Sequence, residues 1–253
     1  MSPLEAALIT LAGVAAGTIN TVVGSGTLIT FPTLLAFGVP PVSANVSNTV
    51  GLIPGSLSGV WGYRRELAGQ RSRVLRLGSA SLVGGIAGAL LLLVLPSAAF
   101  DAIVPVLIGI GVLLVIAGPP IQRAVAARAE SRGGIPDHGL WWVWPAVAAA
   151  GVYGGYFGAA QGVLLVAILG IGVADSMQRH TATKNVLALI VNAVAAVVFI
   201  AVADIDWPVA GLIALGSVVG GQLGATLGRR LPSALLRAVI AAVGLVALVV
   251  LLV

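Results

Sequence analysis

Two stretches of this chain share one texture: dense in glycine, free of charge, and too interrupted to be a single plain helix. They are Gly13-Val-Ala-Ala-Gly17-Thr-Ile-Asn20-Thr-Val-Val-Gly24-Ser-Gly26 and Gly151-Val-Tyr-Gly154-Gly155-Tyr-Phe-Gly158-Ala-Ala-Gln161-Gly162. Aligning Gly13 with Gly151 also aligns Gly17 with Gly155 and Gly24 with Gly162, at a constant offset of 138. Matching interruptions in two halves of an apolar chain point to a binding site between the halves. Lipid cannot satisfy the hydrogen bonds of backbone that leaves a helix at membrane depth, so such backbone must line a cavity or be buried in protein.

The rest of the chain supplies the membrane context. It is 59% hydrophobic and 8% charged, with a mean hydropathy of +1.12. Residues 6–63, 139–174, 186–203 and 207–228 contain no charge. Uninterrupted apolar runs of this length read as membrane spans, and a soluble fold would lack polar surface. There is no cysteine, which excludes disulfides, thiol catalysis and thiolate metal sites. The high pI, near 10.7, reads as a topology signal rather than a nucleic-acid one. The first apolar run follows Glu5 with no basic residue before it, so it reads as a retained segment rather than a cleaved leader.

The 13 basic residues fall in four clusters: Arg64 to Arg76, Arg123 to Arg132, Arg179 with Lys184, and Arg229 to Arg237. All four share the cytoplasmic side if 139–174 enters and returns as a hairpin of two short helices broken near Gly158 to Gly162, which the positive-inside rule favours. The same reading makes 4–38 a hairpin that turns at Gly24-Ser25-Gly26. The expected fold is an all-α polytopic membrane protein of two inverted repeats, each a broken or re-entrant hairpin plus three spans. The first repeat is 1–118, with hairpin 4–38 and spans 44–61, 77–95 and 102–118. Residues 119–138 form a cytoplasmic linker. The second repeat is 139–253, with hairpin 139–174 and spans 184–203, 207–228 and 234–253. Five segments is an odd number, so a tandem copy must be inverted. Both termini then lie outside, in a multi-pass protein of a bacterial inner membrane. Trp61, Trp141, Trp142, Trp144 and Trp207 all fall at expected span ends, where amphipathic rings suit the interface.

Candidate site residues cluster at the interruptions. Asn20, Thr21, Ser25, Gly26 and Thr27 mark the first and Gln161 the second. A helix starting there would aim free N–H groups and a positive dipole end at mid-membrane, an anion site without a buried cation. The competing reading is close helix packing by glycine, with small polar residues bonded to backbone. A second group opens the next helices: Asn45 and Asn48 share one face at i,i+3, and His180 and Lys184 share another at i,i+4, next to Asn185. Lys184, the only lysine, fits either a site or an interfacial cation that snorkels. His180 is the candidate for proton coupling. No carboxylate falls inside an expected span, so a coupling ion, proton or sodium, would have to use hydroxyls, amides, backbone carbonyls or His180. No metal or cofactor set is present.

At these residues the chain resembles the TauE/SafE family of sulfite-exporter-like permeases. The matching stretches are 17–32, 38–50, Gly59-Val-Trp61-Gly-Tyr63-Arg64-Arg65-Glu66, 154–162 and Lys184-Asn185-Val186. The resemblance covers essentially the whole chain. It implies transport of small anions, often oxidised sulfur compounds such as sulfite, thiosulfate or organosulfonates. The absence of cysteine leaves no sulfur relay.

The leading expectation is therefore a secondary transporter of a small anion. Its midplane site would be lined by Asn20, Thr21, Ser25, Gly26, Asn45, Asn48, Gln161, Lys184 and Asn185. Its partners would be the bilayer and the anion, with no nucleic acid, and glycine-rich spans leave a homo-oligomer open. The alternatives are a passive channel or an accessory membrane subunit. An intramembrane enzyme is disfavoured, because Gly24-Ser25-Gly26 lacks the Gly-x-Ser-Gly spacing and both His138 and His180 are expected near the cytoplasmic surface, away from Ser25.

Overall fold

The computed structural model of the chain describes residues 1–129, 139–227 and 233–252. All its regular elements are helices: α1 (Pro3–Val22), α2 (Thr27–Ala36), α3 (Pro41–Gly62), α4 (Arg71–Val94), α5 (Ser97–Ala129), α6 (Val143–Tyr156), α7 (Gln161–Gly172), α8 (Met177–Val202), α9 (Trp207–Thr226) and α10 (Ser233–Leu252). Five are long and apolar enough to cross a membrane: α1, α4, α5 up to Gly118, α8 and α9. The short apolar helices α2 and α7 are the second arms of the two interrupted segments. α5 runs through Pro119 and Pro120 to Ala129, into the stretch read as a linker. Residues 130–138, with His138, and 228–232, with Arg229 and Arg230, lie outside the described residues.

Helix starts follow local chemistry. Ser2 and Glu5 form a reciprocal capping box on α1. Ser176 accepts from Arg179 N at the start of α8, and Asp206 accepts from Val209 N at the start of α9. Inside the helices, hydroxyls turn back to their own chain. Thr10, Thr18, Thr21, Thr33, Thr49 and Thr181 each donate to the carbonyl four residues earlier, which removes polar groups from an apolar surround.

The helices pack in matched pairs drawn from different halves of the chain. α1 lies on α9 as α6 lies on α4, and α3 lies on α9 as α8 lies on α4. Glycines set these approaches. A Cβ on Gly13 or Gly17 would meet the backbone of α9 at Ile213 or Ser217, and one on Gly151 or Gly155 would meet α4 at Gly84 or Gly85. These are small-residue interfaces of the kind that replace hydrophobic packing in lipid. Two of the three glycine pairs matched at offset 138 therefore serve helix packing, as the competing sequence reading held.

α3 and α8 run in opposite directions. At one end Ser43 donates to the Asp204 carbonyl and Ser47 accepts from Asp206 N, beside the start of α3 and the end of α8. At the other, Arg179 donates to the Ala68 carbonyl and Thr183 to Gln70, beside the end of α3 and the start of α8. The first end is acidic, where Glu5 and Asp206 line one cavity. The second carries Arg64, Arg65, Arg71, Arg73 and Arg179.

Candidate functional site

α1 ends at Val22 and α2 begins at Thr27. Between them Gly24 has a φ of +87°, which reverses the chain without the Cβ clash an L side chain would meet. The second interruption falls between Tyr156 and Gln161, with Gly158 at +78° and Ala160 left-handed at +61°. Tyr153 fixes this turn by donating to the Ala159 carbonyl at 2.6 Å. The two interruptions meet. Gly162 N donates to the Gly24 carbonyl at 3.0 Å, and a Cβ on either glycine would fall on the backbone of the other. The third matched glycine pair is thus the point where the halves cross.

Lys184 reaches this crossing from α8. It is completely buried, its stem passes beside Gly162, and its ammonium donates to the Asn20 carbonyl at 2.9 Å and the Thr21 carbonyl at 3.1 Å. These carbonyls belong to the last turn of α1, where unpaired C=O groups and the dipole favour a cation. Among the described residues no carboxylate pairs with Lys184. Of its two sequence readings, a site residue or an interfacial snorkelling cation, complete burial does not fit the interfacial one. Ser176 caps α8, the helix starts at Met177 rather than 184, and Lys184 sits two turns inside.

Asn45 makes the reciprocal contact from α3. Its amide donates to the carbonyl of Tyr156, the last residue of α6, at 2.9 Å. Each half thus sends one side chain to the broken helix end of the other, an ammonium in one direction and a neutral amide in the other. One turn on, Asn48 accepts from Thr30 and donates to Thr27 at 3.3 Å, which anchors α2 to α3.

Several buried polar atoms around the crossing make no hydrogen bond within the chain: Ser25 Oγ, Asn45 Oδ1, Gln161 Nε2, Asn185 Nδ2 and Tyr156 Oη. Ser25, Asn45 and Gln161 are at most 3% exposed. Orphaned groups this deep are uncommon in folded proteins. Ser25 Oγ has no base bonded to it. Thr21 turns its hydroxyl back to Gly17 and presents only its carbonyl to Lys184. Asn20 is half-buried and its amide approaches Ser56 at 3.5 Å. Gly26, the residue before α2, packs on α1 at Ala16 and Asn20. Phe31, Phe100, Tyr156 and Phe157 form an edge-to-face cluster, with Phe31 and Phe157 centroids 5.1 Å apart, that covers the second interruption. Sequence reasoning missed Tyr156 and this cluster, because nothing in the spacing joins Phe31 to Phe100 or Phe157.

His180 lies one turn from Lys184 toward the arginine-rich end and is 2% exposed. Its neighbours there are charged. Arg73 donates to Asp175 at 2.6 Å, and Arg179 pairs with the same carboxylate at 2.8 Å. Partial burial pushes the Asp175 carboxyl up, but hydrogen bonds from Arg73, Arg179 and Ser176 N outweigh it and hold it below the usual carboxylate value. This ion pair ties α4 to the segment between α7 and α8.

Comparison with known proteins places the chain among membrane transporters by sequence. Residues 9–251 match the family described as sulfite exporter TauE/SafE. The chain is similar to the probable membrane transporter protein YfcA of Escherichia coli strain K12, 26% identical over 90% of this chain and 82% of the relative. It is 28% identical to the probable membrane transporter protein ORF9 of a Sinorhizobium species, over 86% of this chain and 81% of that one. A probable membrane transporter protein of Haemophilus influenzae is 26% identical over 87% and 84%. No solved structure matches the chain.

Proposed function

We propose, for a chain that belongs to the sulfite exporter TauE/SafE family, the function of a secondary transporter that carries a small anion, an oxidised sulfur compound such as sulfite, thiosulfate or an organosulfonate. The observation that carries the anion class is Lys184. A wholly buried ammonium with only carbonyl partners leaves a positive centre deep in the protein that a negative solute can complete. The N-terminal ends of α2 and α7 at the same crossing add positive potential. Ser25, Asn45, Gln161 and Asn185 offer unused polar atoms to oxyanion and hydroxyl groups.

Movement follows from the same arrangement. Residues 1–118 and 139–253 act as two inverted repeats, a reading supported by the opposed α3 and α8 and by the matched packing of α1 on α9 and α6 on α4. Rocking of one repeat on the other about the Gly24–Gly162 contact alternates access to the crossing. The arginine-rich end is cytoplasmic in a bacterial inner membrane by the positive-inside rule.

Purified protein in proteoliposomes tests this reading with a panel of sulfite, thiosulfate, sulfonates, acetate and phosphate. Saturable uptake with counterflow for a sulfur oxyanion is expected. Flux that does not saturate and shows no counterflow identifies a channel, and no flux for any anion removes the transport reading.

A further inference from the structure

The arginine-rich end holds a polar cavity of about 440 Å³ that shares no lining residue with the crossing. Gly69, Gln70, Ser72, Arg73, Asp175 and Arg179 line it. Its walls close two guanidiniums around one carboxylate, with Arg73 Nη1 and Arg179 Nε both donating to Asp175 Oδ2, at 2.6 and 2.9 Å. Arg73 is itself 8% exposed, so this charge sits in a poorly hydrated wall where electrostatic attraction is stronger than in bulk water. Gln70 accepts from Arg73 at 2.7 Å and from Thr183 at 2.9 Å, which links the cavity to the residue beside Lys184.

We propose that this cavity is a second, peripheral oxyanion site, in which the Asp175 carboxylate occupies the place of an incoming sulfite, sulfonate or similar anion and is displaced by it. The inference rests on the anion-transport reading and deepens it. Two guanidiniums that converge on one carboxylate are chemically suited to a planar or pyramidal oxyanion of this size. A tethered competitor keeps the site weak, which suits a port that must hand its anion onward. The Arg73–Asp175 pair also joins α4 to the segment before α8. Displacing Asp175 breaks that tie, so arrival of the anion favours the state open at this end.

The test uses the full chain in proteoliposomes of both orientations, with sulfite, thiosulfate and methanesulfonate as probes. Asp175→Asn removes the competing charge and keeps the shape. The expected result is a KM for the transported probe lowered about two- to fivefold at the arginine-rich face, the range set by partly exposed ion pairs. KM at the opposite face stays unchanged. Arg73→Gln raises KM at the arginine-rich face. KM values unmoved at either face in both variants overturn the site, because a purely structural role changes the folded fraction and maximal rate and not a face-specific KM. Thermal stabilisation in detergent separates this from the transport reading. If no probe crosses the bilayer, stabilisation that survives Lys184→Met and vanishes in Arg73→Gln keeps the peripheral site while transport fails. Absence of any such stabilisation overturns the site. Arg179→Gln replaces Arg73→Gln should the latter not yield monodisperse protein.

Discussion

The Lys184 ammonium lies 2.9 Å from the Asn20 carbonyl, so a cation from the second half of the chain caps a helix that ends in the first. The same ammonium also donates to the neighbouring Thr21 carbonyl at 3.1 Å. Lys184 is wholly buried, and the last carbonyls of α1 have no helical partner of their own.

Lys184→Met keeps most of the side-chain volume and removes the charge. Anion flux in proteoliposomes should fall by more than about tenfold, since truncating one member of a buried charged contact costs roughly 2–5 kcal/mol. Gel filtration of the variant supplies the control for folding. Undiminished flux would take Lys184 out of the site.

Gly24→Ala and Gly162→Ala each drive a methyl group into the opposing backbone, and Gly24 also carries a positive φ. Overpacking costs about 1–3 kcal/mol, and a left-handed residue about 1–2 kcal/mol. Gly38→Ala has the same kind of φ but nothing within 4 Å of its Cβ, so it carries only the smaller penalty. Thermal scanning should therefore rank the wild type above Gly38→Ala, and Gly38→Ala above Gly24→Ala.

Asn45→Leu leaves the Tyr156 carbonyl without its donor. A buried group left unpaired costs about 1–3 kcal/mol, and the loss should appear both in the melting temperature and in flux. Asn48→Ala loosens α2 through Thr27 and Thr30 instead. A variant at 45 that melts like the wild type would show that the α6 end is held by other means.

The Asp175 carboxyl is held below its ordinary value, partial burial being outweighed by hydrogen bonds from Arg73, Arg179 and Ser176 N. A depressed carboxylate contributes stability that is present above its unfolded pKa, about 3.9, and lost as pH falls through the folded one. Wild-type protein should melt above Asp175→Asn near neutral pH and lose that lead below roughly pH 4. Melting curves of both proteins across this range check the sign; a lead that stays constant into acid would exclude the ion pair as its source.

Much of the architecture is written locally. Uncharged runs and capping residues such as Ser2, Ser176 and Asp206 fix where helices lie and start. The glycine spacing located both interruptions, because reversing a chain there needs a positive φ that Gly24 and Gly158 provide without strain. The same spacing could not separate packing glycines from crossing glycines. Gly13, Gly17, Gly151 and Gly155 look like Gly24 and Gly162 in sequence, yet the first four face neighbouring helices and the last two face each other.

The order of residues is enough to specify a chain that spans a membrane, breaks once in each half and sets particular small polar residues at the breaks. Those properties depend on hydropathy and backbone freedom over a few residues. Tertiary structure alone decided that Lys184 is buried rather than interfacial, that it caps α1 while Asn45 caps α6, and that Arg73 and Arg179 share Asp175. Each of those relationships joins groups more than 100 residues apart, apart from the local Asp175–Arg179 pair. Packing of one half of the chain against the other brings such groups together, and no local pattern of residues records it.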